Sequence, residues 1–103
     1  MIYHVNITDS AETEMREIAR YIADDLYSPQ AALNLMRDLK KQIHSLKQMP
    51  ERHALVSDKR LAQKCIRLIP IKNYAIFYEV IDIVKTVNII SIMYSGRDWM
   101  NLL

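Results

Sequence analysis

The sequence has 103 residues, of which half are hydrophobic and a quarter are charged, and its formal net charge is +2. These values fit one folded domain over residues 1–103 and exclude a disordered chain. Cys65 is the only cysteine, which excludes an internal disulfide and a zinc site built from thiolates. The longest apolar runs are too short to span a bilayer, and the N-terminus lacks the pattern of a signal peptide. We therefore expect a cytoplasmic protein with no membrane partner.

The first predicted elements are a strand and a helix. Apolar and polar residues alternate from Ile2 to Ile7, which indicates a strand with one buried face. Asp9, followed three residues later by Glu12, resembles a helix-capping arrangement. Apolar residues then recur every three or four positions, and this spacing predicts a helix that ends near Tyr27.

A second helix follows almost immediately. Ser28-Pro29 offers an N-cap and a proline at the first helical position, and Pro50 marks the end of the next apolar stripe. Because two helices joined by a short turn must run antiparallel, residues 9–49 are predicted to form a helical hairpin. The segment Glu51 to Lys59 is predicted to be a polar loop.

Three more strands are predicted in the second half of the chain, over Ile66–Pro70, Tyr74–Val80 and Val87–Tyr94. The element order is therefore β-α-α-β-β-β. The predicted fold is of the α+β class, with the helical hairpin packed on an antiparallel sheet. Gly96 is the single glycine, and we expect its freedom in φ to let the chain turn sharply after the last strand.

The predicted sheet carries arginine and tyrosine side chains that suit an anionic partner. Six basic residues and one acidic residue lie between Arg52 and Lys72, and such a field attracts polyanions. Guanidinium groups hold phosphate or carboxylate, and tyrosine offers a stacking surface and a hydroxyl, so RNA, DNA ends or an acidic peptide would fit. The alternatives are that the tyrosines only pack in the sheet and that the basic segment is a solvated loop. Antiparallel pairing would bring together on one face Arg67, Tyr74, Tyr78, Tyr94 and Arg97.

The chemistry that these residues could support needs neither a metal nor a cofactor. The three histidines have no metal-ligand spacing, and one glycine cannot form a phosphate-binding loop. Attack of a ribose 2′-OH on the adjacent phosphate requires proton transfer and positive charge, which lysine, tyrosine and arginine can supply. The predicted catalytic residues are Arg67, Arg97, Lys64 and Tyr94, and the predicted RNA- or target-binding residues are Arg60, Lys72, Tyr74 and Tyr78.

An ordered set of motifs resembles the RelE/ParE superfamily of bacterial toxins over nearly the whole chain. The motifs are Ser28-Pro29-Gln30-Ala31-Ala32, Leu46-Lys47-Gln48-Met49-Pro50, Ile66-Arg67-Leu68 leading to Asn73-Tyr74-Ala75-Ile76-Phe77-Tyr78, and Tyr94-Ser95-Gly96-Arg97-Asp98-Trp99. The resemblance implies a growth-arresting toxin of a type II toxin-antitoxin system that a cognate antitoxin neutralises. It also implies that the basic face has two ligands, the antitoxin and the cellular target.

The resemblance leaves the target open. The RelE-like branch cleaves messenger RNA in the ribosome, and the ParE-like branch poisons DNA gyrase. Ribosome-dependent members usually carry an arginine after the tyrosine that opens the third strand, where this chain has Ala75 after Tyr74. Arg97 matches the family's arginine after the last strand, but no tyrosine follows it. A third interpretation is an inactive member that acts as a binding or regulatory module.

Two further expectations concern the antitoxin. An edge strand, the first or the second in the chain, is expected to stay open so that an antitoxin strand can extend the sheet. The chain also ends in an apolar tail that contains Trp99, Met100, Leu102 and Leu103. We expect this tail to pack on the sheet or the helices, or to form the antitoxin's docking surface.

Overall fold

The computed structural model describes residues 2–97 and 102–103. Among them, the strands are β1 (His4–Ile7), β2 (Ile66–Ile71), β3 (Tyr74–Ile81) and β4 (Thr86–Tyr94), and the α-helices are α1 (Asp9–Arg20), α2 (Pro29–Ser45) and α3 (Lys59–Ala62). This order confirms the predicted β-α-α-β-β-β sequence of main elements. The helix α3 was not predicted, because a single turn is too short to display a helical repeat. None of the described helices has the length and apolar character needed to cross a lipid bilayer.

The four strands form one sheet in the order β1-β4-β3-β2. The pairs β2–β3 and β3–β4 are antiparallel, as predicted, whereas β1 runs parallel to β4. The sheet is therefore mixed rather than wholly antiparallel. The reason is that residues 8–65 carry the chain back to the end of the sheet where β1 begins, so β2 and β4 both run in the direction of β1. The strands β1 and β2 are the two edges of the sheet.

The hydrophobic core lies mainly between the helical hairpin and one face of the sheet. Leu39 and Ile76 are fully buried there. A smaller cluster on the opposite face contains Phe77 and is covered by Leu61 of α3. Leu103 packs against this smaller cluster, whereas Trp99 and Met100 of the predicted apolar tail lie outside the described residues.

The helix α1 begins one residue earlier than the sequence suggested. Its N-cap is Thr8, whose hydroxyl oxygen accepts from the backbone N–H of Ala11 at 3.2 Å. The same hydroxyl donates to the carbonyl of Ile89 at 2.8 Å, so it also ties the helix to β4. Asp9 is therefore not the cap, and it contributes negative charge to the first turn instead.

The hairpin turns through residues with unusual backbone conformations. After Arg20 the helix continues as one π-helical stretch, Tyr21–Asp25, and Tyr27 has a φ of 52°. The predicted end of the first helix near Tyr27 is thus confirmed. Ser28 is the N-cap of α2, but its hydroxyl donates to the carbonyl of Leu26 and makes no capping bond.

The end of α2 is fixed by a side chain from the segment that follows it. The guanidinium of Arg52 donates to the carbonyl of Gln48 at 2.8 Å and to the hydroxyl of Ser45 at 2.6 Å. Residues Pro50–Arg52 form a 3-10 turn. The predicted polar loop is therefore partly ordered, because guanidinium donors satisfy carbonyls that a helix end leaves unpaired.

The two N-caps differ in their hydrogen bonds and should therefore differ in their effect on stability. Thr8→Ala removes a capping bond and a bond to β4, so we expect it to lower the free energy of unfolding by about 1–2 kcal/mol. Ser28→Ala removes no capping bond and should change it by less than about 0.5 kcal/mol. Urea unfolding followed by circular dichroism measures both values. Equal losses for the two variants would contradict the assignment of Thr8 as a tertiary cap.

Candidate functional site

Three of the predicted residues meet in a cleft at one end of the sheet. Tyr74 opens β3, Tyr94 closes β4 directly opposite it, and Arg97 lies in the turn that follows β4. The cleft has a volume of about 310 Å³ and lies between this end of the sheet and α1. The lining residues from the helical side are Glu14, Glu17, Ile18 and Tyr21.

The helical side of this cleft was not predicted from the sequence. Glu14, Glu17 and Tyr21 are spaced by three and four positions, which places them on one face of a helix. That spacing is visible in the sequence, where it indicates a polar helix face. It does not indicate which end of the sheet this face packs beside. The cleft therefore combines phenol rings with carboxylates, whereas the sequence predicted a basic face.

Gly96 sets the position of one ring rather than a special backbone turn. The described structure has no glycine with a positive φ, so the expectation that Gly96 uses its freedom in φ is wrong. A Cβ at Gly96 would instead collide with the ring of Tyr94. Glycine leaves room for this ring, which folds back over the backbone of the turn.

The two tyrosines at the strand ends form an aromatic pair. Their ring centroids lie 6.0 Å apart at an interplanar angle of 79°, which is an edge-to-face arrangement. Burial raises the pKa of Tyr74 above 10.0, and the neighbouring Tyr21 and Tyr94 raise it further. Tyr74 is therefore a neutral phenol at physiological pH, suited to stacking and hydrogen bonding rather than to accepting a proton.

Arg67 and Tyr78 lie directly opposite each other on β2 and β3 and hold the segment that follows α2. The guanidinium of Arg67 donates to the carbonyl of His53 at 2.7 Å and to that of Glu51 at 3.2 Å. The buried hydroxyl of Tyr78 donates to the carbonyl of Pro50 at 2.6 Å. Burial raises the pKa of Tyr78 to about 12, so this hydroxyl keeps its proton. We call these contacts the loop clamp.

His53 lies inside the loop clamp and was not singled out by the sequence. Its ring packs edge-on against that of Tyr78 with centroids 6.3 Å apart, and its Nε2 atom is buried without a hydrogen-bond partner among the described residues. Burial lowers the pKa of His53 below 6.5, and the charge of Arg52 lowers it further. The imidazole is thus held in its neutral form.

The remaining predicted residues lie on the surface around β2. Arg60 is in α3 with its Nε atom 3.9 Å from a carboxylate oxygen of Asp58, and Lys64 is exposed shortly before β2. Lys72, in the turn between β2 and β3, lies 3.4 Å from the carboxylate of Asp38 on α2. These basic groups therefore belong to several elements and do not line one pocket.

The structure brings the predicted residues together in two groups. Tyr74, Tyr94 and Arg97 share the cleft, whereas Arg67 and Tyr78 share the loop clamp. Tyr78 follows Tyr74 by four positions along β3, which corresponds to about 13 Å at the usual strand rise. Lys64 precedes β2 and so lies at the end of the sheet far from the cleft. Within the described residues, no three metal-ligating side chains form a cluster.

Comparison with known proteins identifies the family. The model of "ParE toxin of type II toxin-antitoxin system, parDE" matches residues 5–99. The chain belongs to the ParE toxin family. It is therefore a toxin of a type II toxin-antitoxin system. No curated protein matches its sequence at a significant level.

Solved structures agree with the fold of this ParE-family toxin. The chromosomal ParDE system from P. aeruginosa matches with a TM-score of 0.72 and 18% identity, over 90% of this chain and 96% of that chain. A free E. coli RelE toxin with two arginine-to-alanine replacements matches with a TM-score of 0.66 and 19% identity, over 99% and 93% of the two chains. The RelBE2 complex from Mycobacterium tuberculosis has a TM-score of 0.63 and 14% identity, over 94% and 95%. At these identities the likeness concerns the fold.

The loop clamp predicts a stability effect for the ParE-family toxin. Tyr78→Phe removes a buried hydrogen bond and leaves the Pro50 carbonyl without its donor, so the free energy of unfolding should fall by about 1–2 kcal/mol. Tyr27→Phe is the matched control, because Tyr27 is 88% exposed and its hydroxyl makes no hydrogen bond within the described residues. Denaturant unfolding of both variants measures the difference. Similar values would show that the Tyr78 hydroxyl does not stabilise the fold.

The partly buried imidazole of His53 predicts a pH effect on stability. Because the pKa of His53 is lower in the folded chain than its ordinary value of 6.5, the unfolded chain binds more protons below that pH. The stability that neutral His53 provides is therefore present above about pH 6.5 and is lost as the pH falls further. Unfolding free energies measured between about pH 5 and 7 should fall more steeply for the natural chain than for His53→Gln. The exposed His44→Gln variant should retain the natural slope, and an unchanged slope in His53→Gln would refute the prediction.

Proposed function

We propose that this toxin arrests growth by binding DNA gyrase rather than by cutting messenger RNA. The proposal rests on the chain's membership of the ParE family, because the ParE-like branch of the superfamily poisons DNA gyrase. It is also consistent with Ala75, which stands where ribosome-dependent members usually carry an arginine. Ala75 is buried in the smaller hydrophobic cluster, so its small side chain packs on the sheet face away from the helical hairpin.

The candidate nuclease residues fall into two separate groups, which does not favour their joint action on one phosphate. Cleavage by a ribose 2′-OH needs a proton acceptor, a proton donor and positive charge within hydrogen-bonding reach of one phosphate. Arg67 belongs to the loop clamp and Arg97 to the cleft, and these sites lie at opposite ends of the paired strands. In addition, two backbone carbonyls already accept from the guanidinium of Arg67. This arrangement favours a binding toxin over a nuclease.

The turn of the helical hairpin offers a surface for a protein target. Leu26, Tyr27 and Leu33 are 51%, 88% and 60% exposed, and they lie within eight positions of one another. Exposed apolar residues that form one contiguous patch mark a protein-interaction surface, and we assign that role to this turn. The backbone here also includes a π-helical stretch and the positive φ of Tyr27, which are conformations that cluster at functional sites.

A cognate antitoxin is the second proposed partner. The ParDE and RelBE relatives are described as toxin-antitoxin systems or complexes, which supports the same kind of partner for this chain. The strands β1 and β2 both lie at sheet edges, so either could accept an antitoxin strand. The outer edge of β2 is partly paired, because Val56 N–H donates to the Ile66 carbonyl and Leu68 N–H donates to the Ala54 carbonyl. The edge of β1 is therefore the better candidate.

Two reactions with purified protein distinguish the targets. In the first, the toxin is added to DNA gyrase with relaxed plasmid, and supercoiling and gyrase-linked DNA cleavage are measured. In the second, it is added to a translation extract, and messenger RNA is examined for internal cuts. We expect loss of supercoiling with intact messenger RNA. Cut transcripts with unaffected gyrase would overturn the proposal in favour of the nuclease, and no effect in either reaction would favour an inactive binding module.

The hairpin surface predicts a separation of toxicity from stability. A Tyr27→Ser/Leu33→Ser double variant should weaken gyrase inhibition about tenfold or more, because truncating even one anchor residue of a protein interface costs about 2 kcal/mol. Its unfolding free energy should change by less than about 1 kcal/mol, since both side chains are exposed. Ile83→Ser is the control, because Ile83 is 95% exposed but lies in the turn between β3 and β4. Equal loss of inhibition in the control would exclude a specific role of the hairpin.

A further inference from the structure

We propose that the cleft at the end of the sheet binds a lysine or arginine side chain from a protein partner. The cleft joins three phenol rings, those of Tyr21, Tyr74 and Tyr94, with the carboxylates of Glu14 and Glu17. Only one basic residue, Arg97, lines it among the described residues. This composition differs from the anion-binding face that the sequence suggested for Tyr74, Tyr94 and Arg97.

The aromatic walls suit a cation. The face of a phenol ring carries negative electrostatic potential, and an ammonium or guanidinium group within about 6 Å of the ring centre is attracted to it. Tyr74 and Tyr94 meet edge to face, so their ring planes form two adjoining walls at 79°. The third ring, Tyr21, is near enough to raise the pKa of Tyr74. Rings at this angle, with a third ring nearby, offer a cation more than one aromatic surface to contact.

The charged residues around the rings also favour a cationic ligand. The carboxylate of Glu14 is half-buried and fixed, because it accepts from the hydroxyl of Ser91 at 2.9 Å and from the N–H of Ile92 at 3.3 Å. Neither Glu14 nor Glu17 forms an ion pair with Arg97 in the part of the chain that the structure describes. The two carboxylates and one guanidinium give the cleft a formal charge of −1, which attracts a cationic group and repels phosphate.

A residue with no side chain leaves room for one ring of the cleft. A Cβ at Gly96 would occupy the space of the Tyr94 ring, and Gly96 is the single glycine of the chain. The ring of Tyr94 is 51% exposed, so burial alone does not hold it in this position. Gly96 therefore leaves free the space that the ring of Tyr94 occupies beside the cleft.

A protein partner is the source of the cation because the cleft is an open surface feature of about 310 Å³, at the lower limit of small-molecule sites. Such a space accepts one long side chain from a bound segment. The source of the side chain rests on the proposed function as a protein-binding toxin, but the preference for a cation does not. Binding of small probes is measured without gyrase, so the two proposals can fail separately.

The probes are Nα-acetyl-lysine methylamide, Nα-acetyl-arginine methylamide and the uncharged norleucine analogue, with adenosine monophosphate as the anionic probe. NMR spectra of the complete chain follow the ring signals of Tyr21, Tyr74 and Tyr94 during each titration. We expect saturable shifts with the lysine or arginine probe at millimolar concentration and effects with norleucine that are weaker by about tenfold or more. Equal shifts with norleucine, stronger shifts with adenosine monophosphate, or no saturable shift with either cation would overturn the proposal.

Variants locate the binding in the cleft. Glu17→Gln removes a carboxylate without changing its size and should weaken binding of the cationic probe about threefold. Gly96→Ala should displace the ring of Tyr94 and weaken binding by a similar or larger factor. The matched control is Glu12→Gln, because Glu12 lies on the same helix but pairs with Arg16 at 3.3 Å. A loss of binding in the control equal to that in Glu17→Gln would assign the effect to overall charge and refute the site.

Discussion

The fold depends most directly on the loop clamp between the sheet and the segment after α2. The carbonyls of Pro50, Glu51 and His53 all accept from side chains of β2 and β3. Arg52, within the same segment, closes the end of α2. Because a buried carbonyl without a donor is costly, the bond to Pro50 stabilises this segment most, and the bonds from Arg67 and Arg52 help to fix where the hairpin ends. The two halves of the molecule are joined at this point.

This arrangement divides the polar residues of the sheet between support and recognition. Arg67 and Tyr78 are residue types that often bind ligands, but here they donate hydrogen bonds to backbone carbonyls and stabilise the fold. Tyr74, Tyr94 and Arg97 lie at the other end of the strands and line the open cleft, where they are available to contact a ligand. A guanidinium or phenol on a strand is thus a candidate for binding only when the backbone nearby does not need it.

Hydrophobic periodicity and the turn and capping residues predict where the main helices and strands lie, but not which strands pair. The apolar repeat located α1 and α2, and β-branched runs located β2, β3 and β4 to within about one residue. The parallel pairing of β1 with β4 joins residues more than 80 positions apart, and local pattern contains no information on such pairing. The cleft could not be predicted for the same reason: Glu17 and Tyr94 are distant in sequence and come together only when the helical hairpin packs on the sheet. The sequence suggests a backbone role for Gly96, whereas in the structure its missing side chain leaves room for the ring of Tyr94.

The parallel contact between β1 and β4 has a consequence for synthesis of the chain. His4 pairs with Thr86 and Ile7 with Ile89, so β1 has no strand partner until synthesis has reached β4. The Thr8 hydroxyl that caps α1 donates to the same late strand. Long-range contacts of this kind form slowly and only when both ends of the chain are available. A chain that stops before β4 therefore lacks its native sheet, so the folded toxin cannot form until β4 has been made.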